Sequence, residues 1–405
     1  AQDVPGSNEM FGRFPVLAQD EVKYVGDGVA VVAAESKETA AKAARLVEVE
    51  YEELEPILNM KEAVQKESES IHKDKDDNII EHSHHLMRKG DVEKGFESAD
   101  VILEKTYYTP FVDQAYIEPE VIVALPDPYK PGIEIHGSIQ NPYSIRQNVA
   151  KAMDLKISQV KVIHSTIGGS FGGKDESVMM MAARTALLAQ KTKRPVKMVL
   201  SREESMLESC KRHAYELNYK IGAKKDGTIV AIEDEVYTKG GPYNNKAMFA
   251  NWRGSVHATG PYSVENVKTD YYGVYTNTIY GGAYRGFSAP QTVFASESII
   301  DELAYKLDIS PKEIRLKNCL RPGDTFATGQ KFGPGEIPAP LEQIIEETCQ
   351  KADYDRKRDE FTDFNKNHEE IKKGIGLSCT IRGAGLGGEG IDTAGATLTI
   401  EQDGS

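Results

Sequence analysis

Apolar residues along this chain follow two periods, and the period that holds in each stretch decides which element is expected there. Near the start, YVGDGVAVVAA (residues 24–34) reads as a buried strand, and VEVEYEEL (47–54) alternates as a half-buried strand does. Between them KETAAKAARL, with Ser36 in front as the capping hydroxyl, predicts a helix. The apolar pattern then breaks over the acidic stretch EAVQKESESIHKDKDDN, which predicts a boundary at about residues 60–95. From Ala99 to Thr238 strands dominate, among them VILEKTYYT, EVIVALPD, Val160–His164 and GTIVAIEDEVYT. Two helices interrupt them. One starts behind Asn141 with Pro142 at its first position and runs PYSIRQNVAKAM. The other, ESVMMMAARTALLAQK, sets Val178, Ala182, Ala186 and Leu187 at helical spacing. Farther on, SESIIDELAYKL puts Ile299, Leu303 and Leu307 on one stripe, and Ser310, Pro311 and Glu313 form a capping box for PKEIRLKN. LEQIIEETCQKA and the charged segment after it predict further helix, and GIGLSCTI and GATLTIEQDGS two strands of a new domain. The fold class is α+β.

The 405 residues suffice for two or three domains. A net charge of −14 argues against nucleic acid or an anionic membrane as the main partner. No apolar run, VMMMAA among the longest, approaches the length of a membrane span. The opening AQDVPGSNEM has neither a basic, apolar leader nor an initiator Met, so a processed chain or a fragment is expected. The four cysteines are widely spaced and form no Cys-x-x-Cys pair, which excludes an encoded iron–sulfur cluster or zinc ribbon and suits reduced thiols in the cytoplasm. The cluster EHSHH (81–85) invites a metal reading, but its polar surroundings and lack of ligand spacing favour a solvated loop.

Residues 168–175, GGSFGGKD, nearly match a phosphate loop between an expected strand and an expected helix. Where that motif requires a hydroxyl for Mg²⁺, this chain has Asp175 and then Glu176, two carboxylates that would face a polyanion. Nucleotide hydrolysis is therefore excluded, leaving either a plain glycine turn or a loop built for another anion. Three further segments share its glycine-rich character or an exposed polar group: HGSIQNPYSIRQ with Gln140, NWRGSVHATGPY with Arg253, and GGAYRGFSAPQ with Arg285 and Phe287. Singly, an Arg or Phe in a loop is usually plain surface or core. Flanking glycines let the backbone approach a ligand closely.

Together IQNPYSIRQNVAKAMDL, GGSFGGK, LSREES, GPYSVENV, AYRGFSAPQ and ATGQ resemble, in order, segments of the molybdenum-binding part of the xanthine dehydrogenase and aldehyde oxidase family. The resemblance implies a partial α/β hammerhead domain over 1–60, a linker over 61–95, a first molybdopterin-binding domain over 96–335 and the start of a second over 336–405. It implies a molybdenum–molybdopterin cofactor, free or as its cytosine dinucleotide. Gln140 would donate to an oxo group on molybdenum, Gly169, Phe171 and Gly172 would bring backbone to the metal, and Arg285 would complete that shell. Phe287 would pack on the substrate ring and Arg253 would orient the substrate, while Asp175, or Glu176 beside it, stands where purine-oxidising members carry Glu. The family's general base, a Glu, would lie beyond Ser405.

The implied reaction hydroxylates an electron-poor N-heterocycle, a purine such as xanthine or hypoxanthine, with water as oxygen source. An aldehyde-oxidising member or a non-catalytic scaffold of the same fold are the rival readings. The second substrate-stacking aromatic, expected near residues 379–383, is missing from CTIRG, and RGFS lacks the Cys of the carbon monoxide dehydrogenase branch. Electrons would leave through 2Fe-2S and FAD partner chains or domains. A polypeptide completing the second domain is a further expected partner, without which this chain would be inactive.

Overall fold

The computed structural model describes residues 13–175, 177–332, 341–382, 395–396 and 398–404. Within them the strands sort into two sheets. One combines β1 (Ile79–Lys89), β2 (Val101–Thr109), β7 (Tyr215–Ala223), β8 (Ile229–Gly241) and β9 (Asn266–Tyr275) in the order β1-β9-β8-β7-β2. The other combines β3 (Val121–Pro126), β4 (Ile133–Gly137), β5 (Val160–His164) and β6 (Val196–Val199) in the order β5-β4-β3-β6. Each sheet contains one parallel pair, β8–β9 and β4–β5. A parallel pair needs a crossover, and two helices supply them: α7 (Ala247–His257) between β8 and β9, and α4 (Pro142–Ala152) between β4 and β5.

Helix α5 (Val178–Thr192) lies beside α4 against the four-stranded sheet, with every residue from Val178 to Ala189 buried. The apolar stripe visible in its sequence is thus only part of a helix enclosed on all sides. Its one long polar residue there, Arg184, donates to Val16 O at 2.7 Å and pairs with Glu208 of α6 (Arg202–Glu208). Helix α8 (Ala289–Leu307) packs with α7 on the five-stranded sheet, and α3 (Val92–Ser98) contacts β8. Helices α1 (Lys37–Ala44), α2 (Met60–Ala63), α9 (Pro311–Asn318), α10 (Leu341–Ala352) and α11 (Tyr354–Asn367) complete the described elements. The expected caps form at Ser36, Asn141 and Ser310, which accept from the N–H groups of Thr39, Ser144 and Glu313 at 3.1–3.2 Å, while the return bond that would complete a capping box at Glu313 is absent among the described residues. All four cysteines are free and buried.

Three expectations need correction. Residues 81–85, expected as a solvated loop within a linker, belong to β1, the edge strand paired with β9. A bulge between Ile79 and His84, with His82 at φ 54°, and a buried Ser83 hide the alternation that marks a strand. His84 stacks on Tyr272, and His85 meets Trp252 edge-on. Second, residues 27–34 and 47–54 are not strands, and GIGLSCTI (374–381) joins no ladder either. Residue preference can favour an extended backbone, but a neighbouring chain must complete the sheet. Third, Arg253 sits on a helix, α7, rather than in a glycine loop.

A buried ionic cluster anchors the C-terminal portion to α8. Arg315, fully enclosed, donates to Glu297 Oε2 at 2.8 Å and to Asp301 Oδ1 at 2.6 Å. Glu297 also accepts from Tyr262 and from the backbone N–H of Cys379 at 2.7 Å. Cys379 itself packs with Cys319, Ile345, Cys349 and Tyr354.

Buried titratable groups set a pH dependence. Burial holds His72, His85 and His213 at about 4, below their usual 6.5, and pushes Asp234 up to about 8. As pH falls from 6.5 towards 4, the unfolded chain takes up three protons that the folded one does not. Stability then drops by about 1.4 kcal/mol per pH unit for each histidine. Asp234 acts oppositely, since its carboxyl stays protonated in the folded state up to about pH 8. Above pH 6.5 it acts without the histidines, and stability declines as pH rises towards 8. Tm is expected to peak near pH 6.5 with the steeper limb on the acid side, and Asp234→Asn to flatten the alkaline limb. A level Tm between pH 4.5 and 6.5 would rule this out.

Candidate functional site

The C-terminal ends of a parallel strand pair gather loop N–H groups and helix starts on one side of a sheet. At the ends of β4 and β5 that geometry brings Gln140, just ahead of α4, beside the glycine loop ahead of α5. Gln140 N–H donates to Lys174 O at 2.8 Å, Lys174 N–H to Ser170 Oγ at 3.1 Å, and Ser170 Oγ to Gln140 Oε1.

Lys174 distinguishes this loop from a phosphate loop. Its ammonium is fully buried, 3.0 Å from Ser138 Oγ, 3.4 Å from Glu118 Oε1 and 4.6 Å above the Tyr116 ring. Burial lowers its pKa, with Glu118 opposing that shift. Glu118 in turn accepts from Gly168 N–H. Burial pushes the Glu118 carboxyl up, but Ser138, Gly168 N–H and Lys174 together hold it below the usual range. The lysine therefore braces the loop from beneath. Above it, the N–H groups of Gly169, Ser170, Phe171 and Gly172 have no acceptor among the described residues. Gly169, Phe171 and Gly172 lie at φ 101°, 52° and 104°, left-handed backbone on both sides of Ser170 that turns loop N–H groups towards an anion.

The AYRGF turn closes on this loop. Arg285 N–H donates to Phe171 O at 2.8 Å, and a Cβ on Gly172 would lie 2.4 Å from Ala283 O. Phe287 and Ser288 continue at φ 48° and 69°. The Arg285 side chain and Phe171, 48% exposed, face outward, with Phe287 half-buried beside them. Arg212 lies 3.8 Å above the Tyr284 ring and donates to Arg285 O at 2.8 Å. From the C-terminal portion, Arg382 donates to Gly286 O at 2.5 Å.

Arg253 is half-buried on α7, and His257 Nδ1–H donates to its carbonyl at 2.6 Å. Burial lowers the His257 pKa, the hydrogen bond to the Arg253 carbonyl opposes that shift, and the positive charges of Arg253 and Arg382 add smaller lowering effects. Asp175 is enclosed: Lys246, which precedes α7, donates to its Oδ2 at 2.8 Å, and Oδ1 is buried without a partner among the described residues. Expected at the substrate, this carboxylate instead ties the glycine loop to the helix that carries Arg253. Glu176 lies outside the described residues. Sequence reasoning missed Glu118, Lys246 and Arg382, whose partners stand 50, 71 and 96 positions away.

Two depressions lie elsewhere. One, of about 430 Å³, is bounded by β2 and α8, and another, of about 400 Å³, by Tyr143, Arg146 and Val162. Their position carries less weight than the convergence of the two glycine-rich loops, since polar groups without partners mark the latter. Among the described residues no three His, Cys, Asp or Glu side chains converge on a possible metal position, and no helix is long and apolar enough to cross a membrane.

Comparison with known proteins agrees with this geometry. Residues 71–319 match the molybdopterin cofactor-binding domain, and residues 1–55 match the a/b hammerhead domain of aldehyde oxidase and xanthine dehydrogenase. The chain is 34% identical to a probable xanthine dehydrogenase component of Bacillus subtilis, over 100% of its own length and 52% of that protein. It is 37% identical to the nicotinate dehydrogenase large molybdopterin subunit of Eubacterium barkeri, over 86% of itself and 80% of that protein. The aldehyde oxidoreductase of Desulfovibrio gigas superimposes with a TM-score of 0.81 at 30% identity, over 89% of this chain and 40% of that one. The chain thus spans about half the length of the first of these relatives.

Proposed function

The chain belongs to the xanthine dehydrogenase and aldehyde oxidase family of molybdenum oxidoreductases, and on that premise we propose that it binds molybdenum–molybdopterin and hydroxylates an electron-poor N-heterocycle. The observation that carries this reading is the locking of the AYRGF turn onto the glycine loop, with unengaged N–H groups at Gly169–Gly172 and Gln140 alongside. These residues fit such a group: they supply consecutive donors, close backbone approach at Gly172, and a lysine kept away from the loop mouth. When bound, the cofactor supplies water-derived oxygen transfer and uptake of two electrons.

The chain's own residues would bind and orient. Gln140 and the loop N–H groups donate to the cofactor's oxygen atoms, and Arg285 adds positive charge at the same edge. Phe287 holds the ring, and Arg253 stabilises negative charge as it develops on the substrate. Asp175 braces the loop through Lys246, so the carboxylate for the ring's N–H edge falls to Glu176. We assign xanthine or hypoxanthine as the first substrates to test. A pyridine carboxylate is the second reading, favoured by Arg382 beside Gly286 and by the nicotinate dehydrogenase relative. The two are separated by kcat/KM on each substrate. We further propose 2Fe-2S and FAD partners, a polypeptide completing the second molybdenum domain, the free or cytosine-dinucleotide form of the pterin, and the cytoplasm, which suits four free thiols.

The test is the protein purified with its natural partners. About one molybdenum per chain is expected, whereas a scaffold would hold none. Arg253→Ala is expected to lower kcat/KM for the heterocycle by about 10²–10³-fold while leaving molybdenum content unchanged. Undiminished turnover would remove Arg253 from the substrate edge.

A further inference from the structure

We infer that Ser170 is a positioning residue that fixes which end of the Gln140 amide faces the cofactor, an inference that rests on the proposed site. Three hydrogen bonds form a closed circuit: Gln140 N–H to Lys174 O, Lys174 N–H to Ser170 Oγ, and Ser170 O–H to Gln140 Oε1. The direction of the last bond follows from proton accounting. A backbone N–H can only donate, so Lys174 occupies an acceptor position on Ser170 Oγ, and the single hydroxyl proton is left for Gln140. That proton requires a carbonyl oxygen opposite it. Oε1 therefore turns inward to Ser170, and the Nε2 amino group turns outward with two N–H donors that have no acceptor among the described residues.

With the amide reversed, Ser170 Oγ would accept from both neighbours and its own proton would have no acceptor among the described residues. The loss of one hydrogen bond disfavours that orientation by roughly five-fold. The circuit is held firmly because the Lys174 side chain is buried and tethered to Ser138 and Glu118, which fixes its backbone N–H and C=O. The motif's hydroxyl thus makes Gln140 a donor towards an oxygen atom of the cofactor, where an unguided amide would present either end.

The test is a double-mutant cycle in the complete enzyme, with molybdenum content, the molybdenum–oxo stretching frequency by resonance Raman, and steady-state kinetics as readouts. Ser170→Ala is expected to leave molybdenum content and KM unchanged. It should lower kcat about two-fold, as a five-fold preference gives way to an even mix of orientations, and shift the stretch in the same direction as Gln140→Ala. On the Gln140→Ala background it is expected to add nothing further, and Ser170→Thr is expected to restore the wild-type frequency. Where the alanine variant folds poorly, Ser170→Cys gives the same reading, since a thiol of similar size donates only weakly. Effects of Ser170→Ala and Gln140→Ala that multiply, or a Ser170→Ala frequency equal to wild type while Gln140→Ala shifts it, overturn the inference and leave the site standing. A Gln140→Ala enzyme with unchanged frequency and turnover overturns the site itself, and this inference with it.

Discussion

Gly172→Ala is expected to cost about a hundred-fold in turnover while leaving most of the fold intact. Two independent causes act at this residue. Its φ of 104° is a conformation that L side chains rarely adopt, at a strain of about 1–3 kcal/mol. The added Cβ would also stand 2.4 Å from Ala283 O and 2.6 Å from Ala283 C, both backbone atoms that no side-chain rotation can move aside. The glycine loop and the AYRGF turn must therefore separate by about 1 Å, and a displacement of that size in a catalytic constellation costs about 10²-fold. Molybdenum content and kcat/KM of the complete enzyme check this, with Gly376→Ala as the control, since nothing lies within 4 Å of a Cβ there. A Gly172→Ala enzyme with normal turnover would show that the two loops need not touch.

The second large effect is expected at Glu297, far from the loops. Glu297→Ala leaves the fully buried Arg315 with only Asp301 as a charged partner among the described residues and removes the acceptor for Tyr262 and for Cys379 N–H. Breaking a buried ion pair from one side costs about 3–5 kcal/mol, a fall in Tm of roughly 4–6 °C for a chain of 405 residues. Replacing both partners, Glu297→Met with Arg315→Met, is expected to recover most of the loss, because no charge is then stranded. Limited proteolysis gives a second measure: the segment around Cys379 should be cut faster in Glu297→Ala than in wild type. Equal melting of the single and double variants would mean that the charges contribute little.

What could be read from the sequence, and what could not, divides by distance along the chain. The caps at Ser36, Asn141 and Ser310 were legible because each hydroxyl or amide acts three residues away. The two central loops were legible because close backbone approach needs glycine, and glycine is visible in a sequence. Lys174 was legible as a residue but not as a role, since only the fold shows that its ammonium points down to Glu118 and Ser138. The Asp175–Lys246 pair had no local sign, as nothing in either segment reveals that α7 begins beside the glycine loop. Strand β1 was misread because its bulge and its buried Ser83 break the period that a reader counts. Segments 27–34, 47–54 and 374–381 were misread for the opposite reason, since an apolar or alternating pattern cannot reveal whether a neighbouring strand is there.

The contact between Phe171 O and Arg285 N–H has a consequence for anyone who would re-engineer this site. Because the glycine loop and the AYRGF turn share a hydrogen bond and leave no room at Gly172, they behave as one graft unit despite the hundred or so residues between them. A chimera that takes one loop from a relative and keeps the other from this chain inherits a mismatched seam. Directed evolution of substrate choice would accordingly do better to diversify Arg253 and Phe287 within a fixed pair of loops, or to exchange both loops together, than to randomise either alone.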